Sequence, residues 1–319
     1  MKPKTLQQAI KYFADEQVCI DAIAALRWPD SPVCPKCGST EHYYLATQKR
    51  WKCKKCAKQF SVKVGTIFED SPIPLEKWLV ALWMLVNCKN GVSSYEIHRD
   101  LGITQKSAWF VLHRLRLALQ NNSVSKIGGK GSEIEADETF VGGAARFMHR
   151  SKKDRYTTAQ RGTGDKTAVM GILERGGQLR AMIVPNNRKH NLQGEIRKHV
   201  KANSAIYTDA LLSYQGLKHQ DFAHEVIDHA ECYVDGRVHT NGLENFWSLL
   251  KRGLKGTYIS TEPFHLFRYL DEQVWRYNNR ATEENPMDDG DRFQLALSQI
   301  AGKRLTFKEV TGKVGETRN

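Results

Sequence analysis

No acidic side chain occurs between His42 and Phe68, although 35 Asp and Glu residues are spread over the rest of this 319-residue chain. The same stretch carries Lys49, Arg50, Lys52, Lys54, Lys55, Lys58 and Lys63. A segment so one-sided in charge is built to meet a polyanion. Long apolar runs are missing too: nothing approaches the roughly 20 residues needed to span a bilayer. Met1-Lys2-Pro3-Lys4-Thr5-Leu6 has no apolar signal core, so the expectation is a soluble, cytoplasmic protein with no membrane partner. Internal repeats are absent as well.

What is present begins with four cysteines in two tight pairs, Cys34-Pro-Lys-Cys37 and Cys53-Lys-Lys-Cys56, with fifteen residues between the inner two. Each Cys-x-x-Cys turn sets two sulfurs on one side of a metal, and two such turns complete a tetrahedral thiolate shell for Zn²⁺. A disulfide or redox pair is the rival, but no secretory signal and no βαβ pattern accompanies either motif. Cys19, Cys88 and Cys232 are scattered and read as small hydrophobes in a reducing compartment. The formal charge of +13, from 48 Lys and Arg against those 35 acids, agrees with a polyanionic partner.

Leu6, Ile10, Phe13, Ile20 and Ile23 fall near helical spacing and predict a helical segment over 1–30. The ribbon is expected over 31–65. Ser71-Pro72-Ile73-Pro74 then opens a helical module over 72–120, with an apolar helix from Leu75 to Val86. Ser93 to Leu119 reads as helix, glycine turn and second helix, the geometry of a helix-turn-helix, with Gln105, Lys106, Ser107 and Arg114 presented by the second helix. An ordinary αα-hairpin fits the same pattern. Gly-rich 120–131 is a linker. Three strand-like runs follow (Glu133–Phe140, Thr167–Leu173, Gln178–Val184), then a helix at Leu192–Val200 and strands near Ala205–Asp209 and His224–Ile227. Helices at Gly242–Leu254 and Phe264–Tyr277 close the series. That order is the order of a ribonuclease H-like domain, placed at 132–285, with a tail over 286–319.

The first of these strands puts Glu133, Glu135 and Asp137 on one face by simple alternation, and Ile134, Ala136 and Phe140 on the other. Asp209 ends a later strand, where a ligand projects from a sheet edge or a carboxylate caps the next helix. In the helix after it, Leu243, Phe246, Trp247, Leu250 and Leu254 make an apolar stripe beside a polar one of Glu244, Ser248, Lys251 and Lys255. Asn241 and Glu244 have the spacing of a capping box, which gives the glutamate a second, purely structural reading. Carboxylates converging from distant segments are what two-metal phosphoryl transfer requires.

Four segments resemble bacterial insertion-sequence transposases of the group in which a zinc ribbon precedes a DDE catalytic domain: Glu135-Ala136-Asp137-Glu138-Thr139-Phe140-Val141-Gly142-Gly143, Tyr207-Thr208-Asp209-Ala210, His239 to Arg252, and Tyr269 to Arg280. The likeness runs from about Asp15 to Arg280. It implies an α+β multidomain chain made of a zinc ribbon, a helix-turn-helix-like module and a ribonuclease H-like catalytic domain with a mixed sheet flanked by helices. It implies Asp137, Asp209 and Glu244 as ligands of two Mg²⁺ or Mn²⁺ ions, selecting Asp137 over Glu135. Some relatives place an asparagine third, which makes Asn241 the alternative to Glu244. Lys251 matches a basic residue beside the scissile phosphate.

The implied reaction is cleavage of terminal inverted repeats followed by strand transfer into target DNA, with the protein bound to the nucleoid as a homodimer or higher assembly on paired ends. Lys52, Lys54, Lys55, Gln105, Lys106, Arg114, Lys152, Lys153, Lys251 and Arg252 are the expected DNA contacts, the two lysines at 152 and 153 lying in a basic loop, Arg146 to Lys166, that also reads as a solvated surface. A DNA-binding regulator with a silent acidic trio, and a structure-selective nuclease of the same fold, are the competing functions.

Overall fold

The computed structural model describes residues 3–120, 125–142, 166–227 and 237–312. The chain divides into two compact units, one made of Met1–Gln120 together with Asn279–Asn319, the other of Asn121–Asn278.

In the first unit, helix α1 (Leu6–Tyr12) is capped by Thr5 and α2 (Glu16–Arg27) by Asp15. The single helix suggested by the spacing is therefore two, parted by Phe13-Ala14-Asp15, because the Asp15 carboxylate accepts from the Gln17 amide and starts a new helix. Strands β1 (His42–Leu45), β2 (Arg50–Cys53) and β3 (Gln59–Phe60) form an antiparallel sheet. Trp51 of that sheet packs on Trp28, Tyr44 and Phe60. Helix α3 (Leu75–Asn87) is almost entirely buried. Ser93 and Glu96 form a capping box ahead of α4 (Ser94–Leu101); Gly102, at φ +59°, makes the left-handed turn that only glycine enters freely; and Thr104 caps α5 (Gln105–Leu119).

In the second unit, β4 (Glu133–Val141), β5 (Thr167–Glu174), β6 (Leu179–Val184), β7 (Ala205–Asp209) and β8 (Ala223–Ile227) form one mixed sheet in the order β6-β5-β4-β7-β8. The first three strands are antiparallel, while β4, β7 and β8 run parallel. Helix α6 (Lys189–His199) covers one face, closing a core around Ile134, Ala136, Met170, Ile172, Ile196 and Ile206. Helices α7 (Asn241–Arg252) and α8 (Leu266–Asn278) cover the other around Val169, Leu243, Phe246, Trp247, Leu250 and Leu270. This is a ribonuclease H-like domain: a mixed sheet buried on both faces by helices.

The residues after 286, expected only as a tail, carry two helices of the first unit, α9 (Asp289–Ser298) and α10 (Phe307–Val310). Phe293 lies against Phe13 and Trp83, with ring centroids 5.4 and 5.2 Å away. The Arg292 guanidinium donates to the Asn87 side chain at 2.9 Å, and the Lys303 ammonium to the Ala118 carbonyl at 2.8 Å, closing the end of α5.

Candidate active site and metal centre

The ribbon sulfurs converge. Cys34 Sγ lies 3.6 Å from Cys56 Sγ and Cys37 Sγ lies 3.5 Å from Cys53 Sγ, with all four sulfurs within 4.8 Å of one another. A tetrahedron with Zn–S bonds of ~2.3 Å has edges of about 3.8 Å, so the four thiols fit a zinc ion with little adjustment. The Cys56 amide is aimed at Cys53 and pulls that thiol down to about 7, while against the pull of the Ser39 amide burial and the three neighbouring thiols push Cys37 up to about 12, as closely packed sulfurs share their protons. Cys19 is buried, and burial pushes its thiol up to about 12, as suits an inert core cysteine. Cys232 lies outside the described residues.

On the sheet, Glu135 and Asp137 share a face but not a fate. Glu135 is 1% exposed; its Oε1 accepts from the Arg175 guanidinium at 2.8 Å and its Oε2 from the Leu243 amide at 3.1 Å. It therefore does the work of a helix cap for α7 from another strand, while the N-cap residue Thr240 makes no side-chain cap bond. The capping box suggested by Asn241 and Glu244 is replaced by this long-range cap. Gly242 permits it, since a Cβ there would lie 2.8 Å from Glu135 Oε2 and 2.4 Å from Leu173.

Asp137 is half-buried, and its Oδ2 accepts from the Trp247 indole at 2.8 Å. Its cross-strand partner is Gly171, where a Cβ would come within 2.7 Å of the Trp247 ring. The glycine thus makes room for the indole that orients the carboxylate. In the parallel ladder Glu135 pairs with Tyr207, so two residues further Asp137 is level with Asp209 on the same face. Asp209 also accepts from the Leu211 amide at 3.1 Å, a short turn beyond the strand end. Burial pushes the Asp137 carboxyl up to about 6; the Trp247 bond opposes this, and the charges of Asp209 and Glu244 add to it. Asp209 and Glu244 therefore both bear on the Asp137 carboxylate, whereas among the described residues the four ribbon cysteines are the group whose ligand atoms lie within 4.8 Å of one another.

Glu244, Ser248, Lys251 and Arg252 are exposed on α7, and Asn241 is exposed at its start. Glu138, which the sequence reading passed over, projects to the opposite face of β4 and accepts from the Tyr214 hydroxyl at 2.7 Å. Burial pushes its carboxyl up to about 7, against the pull of Tyr214, with Asp209 and Asp137 adding to the rise. Its signal lay in the adjacent Asp137-Glu138 pair. Arg175, in the β5–β6 turn, was also missed: it binds Glu133, Glu135 and the His239 carbonyl and lies over the Tyr207 ring.

Of the expected DNA contacts, Lys54, Lys55 and Lys106 are exposed and Lys52 is half-buried. The Lys52 ammonium lies over Tyr43 and that of Lys106 over Phe307. Gln105 donates to Ser94 at 2.9 Å. Arg114 needs correction: it is 3% exposed, donates to the Glu69 carbonyl at 2.7 Å and lies over Trp78 and Phe110. It staples α5 to the segment before α3, because its helix face is the one turned inward. Lys152, Lys153 and the basic loop around them lie outside the described residues, apart from its last residue, Lys166.

No helix among the described residues is long and apolar enough to cross a membrane. The model of the ISXO2-like transposase domain matches residues 128–278, and that of the transposase zinc-ribbon domain matches residues 14–59. The chain is 25% identical over 256 residues to an uncharacterized protein in transposable element ISH50 of Halobacterium salinarum, spanning 77% of this chain and 85% of that one. It is 39% identical over 99 residues to an uncharacterized transposase-like protein of Haemophilus influenzae, spanning 31% of this chain and 79% of the relative. A zinc-ribbon match followed by a transposase-domain match, and relatives of the same kind, place the chain in the ISXO2-like transposase family.

Proposed function

We propose that this transposase cuts DNA at the ends of an insertion sequence and joins the freed ends to target DNA, using Asp137, Asp209 and Glu244 as its metal-binding set. The observation that carries the reading is the level placement of Asp137 and Asp209 on adjacent parallel strands, with Glu244 close enough to raise the Asp137 pKa. Bound Mg²⁺ or Mn²⁺ supplies charge neutralisation at the attacking and leaving oxygens of the phosphodiester. Trp247 holds the Asp137 carboxylate in place, and Glu135 with Arg175 fixes the start of the helix that presents Glu244. Lys251, two turns along that exposed stripe, sets an ammonium where a phosphate next to the scissile bond is held. The ribbon, with Zn²⁺ on Cys34, Cys37, Cys53 and Cys56, and the helices α4 and α5 recognise the terminal repeats. A carboxylate is the better ligand for a hard cation than an amide, so Glu244 takes precedence over Asn241.

The test is purified protein, a labelled duplex carrying the DNA that flanks the reading frame, and Mg²⁺. Cleavage and joining that vanish in Asp137→Asn and Asp209→Asn are expected. Duplex binding without metal-dependent cutting would convert the reading to a regulator, and cutting without joining to a nuclease. Near-normal activity in Glu244→Gln together with a dead Asn241→Ala would move the third ligand.

A further inference from the structure

Ile259 is 80% exposed and has φ +60°. The Ser260 amide donates across it to the Tyr258 carbonyl at 2.6 Å, which makes Ile259 the centre of a three-residue γ-turn. A β-branched residue at positive φ is a genuine outlier, and such strain concentrates at ligand-gripping positions. Neither folding nor solubility asks for isoleucine here: glycine or asparagine enters this conformation readily, and burial returns nothing to a side chain left in water. The turn is also firmly mounted. The Tyr258 ring stands 4.7 Å from that of Tyr269, and its hydroxyl donates to the buried Glu272, which also pairs with Arg276.

The path to this tip is equally particular. Helix α7 runs on through a π-turn, Gly253–Thr257, with the Tyr258 amide donating to the Gly253 carbonyl at 3.0 Å. Turns of this kind mark functional sites far more often than plain helix does. From Asn245 to Thr261 there is no acidic residue, and Lys251, Arg252 and Lys255 are exposed. The segment therefore offers cations along its length and a rigid apolar point at its end.

We propose that Ile259 is a wedge that enters between two base pairs of the DNA duplex whose phosphates Lys251, Arg252 and Lys255 hold. Apolar side chains of this size part a base step in this way, while neighbouring cations grip the backbone. The inference rests on the transposase acting on duplex DNA as read above. Ile259 is fifteen residues beyond Glu244 on α7 and its extension, which at helical rise is ~20 Å. At 3.4 Å per step the parted base pairs lie about six steps from the cleaved phosphate.

The experiment uses the full zinc-loaded chain and the duplex that flanks the reading frame, with 2-aminopurine stepped through it one position at a time, read without added Mg²⁺ or chelator. Wild-type protein is expected to raise the fluorescence severalfold at one or two adjacent positions. Ile259→Ala and Ile259→Gly are expected to lose that rise and to bind the duplex roughly three- to tenfold more weakly, an order set by the stacking the wedge replaces. Ile259→Gly is expected to melt at or above the wild type, because glycine relieves the strained φ, so the loss does not come from unfolding. A glycine variant that keeps the rise, or a wild type that binds without a rise at any position, overturns the wedge. A rise without Mg²⁺ and no cutting with it leaves the wedge standing and overturns the catalytic reading; no binding at all overturns both.

Discussion

Asp137 shows how a candidate site residue is held at a cost to the fold. Its carboxyl stands near pKa 6 against an ordinary 3.8, chiefly through burial. A folded-state pKa raised above the unfolded one means that the native protein binds more protons between about pH 4 and 6, so stability falls as pH rises through that window and the full penalty is present above it. Asp137→Asn removes the charge but keeps an oxygen for the Trp247 indole. The variant is expected to be inactive yet to be more stable than wild type at pH 8 without added Mg²⁺ or Mn²⁺, by up to about 3 kcal/mol. The advantage is expected to vanish below about pH 4, where both carboxyls are protonated. Thermal melts across pH check this, and a variant less stable than wild type at pH 8 contradicts it. Lys251 belongs to the same scale. Lys251→Ala is expected to depress cleavage rate far more than duplex affinity, because affinity is spread over many cations. Parallel binding and single-turnover measurements separate the two, and equal losses in both would make Lys251 an ordinary phosphate contact.

Among elements, the strands and helices of the second unit were legible because their cues are local: alternation in β4, the short apolar runs of β5 and β7 bounded by turns, and the Leu243, Phe246, Trp247, Leu250 stripe of α7. The ribbon was legible for the same reason, since two Cys-x-x-Cys turns fix their own geometry. What stayed hidden is non-local. Alternation alone left Glu133, Glu135 and Asp137 equivalent; the partner that commits Glu135, Arg175, stands forty positions later in a turn with no periodicity. Arg114 looked solvent-facing because a cation in an amphipathic helix usually is, and only tertiary packing turns it onto Trp78. Gly171 had no sequence cue either, yet the register of β4 and β5 sets it against Asp137 and under Trp247. Gly171→Ala is expected to push the indole off Asp137, lowering activity at least tenfold while costing about 1–3 kcal/mol as an overpacked core does. Activity, denaturant melts and Trp247→Phe as a companion variant check it; wild-type activity in Gly171→Ala would show that the indole does not orient the carboxylate.

At the scale of the molecule, helices α1 and α2 near one end of the chain and α9 and α10 near the other share one unit, so removing either pair is a test of that unit's core. Truncation after residue 286 strips Phe293, Leu297 and Ile300, all buried, together with the Lys303 cap on α5. Losing several buried side chains at roughly 2–5 kcal/mol each exceeds the stability of most single domains. The truncated protein is expected to lose the helical module and with it selection of the element end, while residues 121–278 retain their own core and metal-dependent nicking persists. Limited proteolysis should then release a resistant fragment of about that span, and a truncated protein that still selects ends would contradict the integral role of the last helices. Zinc ties to the same unit: Cys37→Ser or Cys53→Ser is expected to lose the ion and unfold the ribbon, since metal binding supplies most of the stability of so small a sheet. Assembly is the last consequence. On the proposed reading, each chain carries one set of Asp137, Asp209 and Glu244, and joining works on two element ends at once. The active complex is therefore expected to hold at least two copies on paired ends, whatever the free protein does. Sedimentation with and without end duplex measures the stoichiometry directly, and a complex that cuts and joins with a single copy per end pair would overturn it.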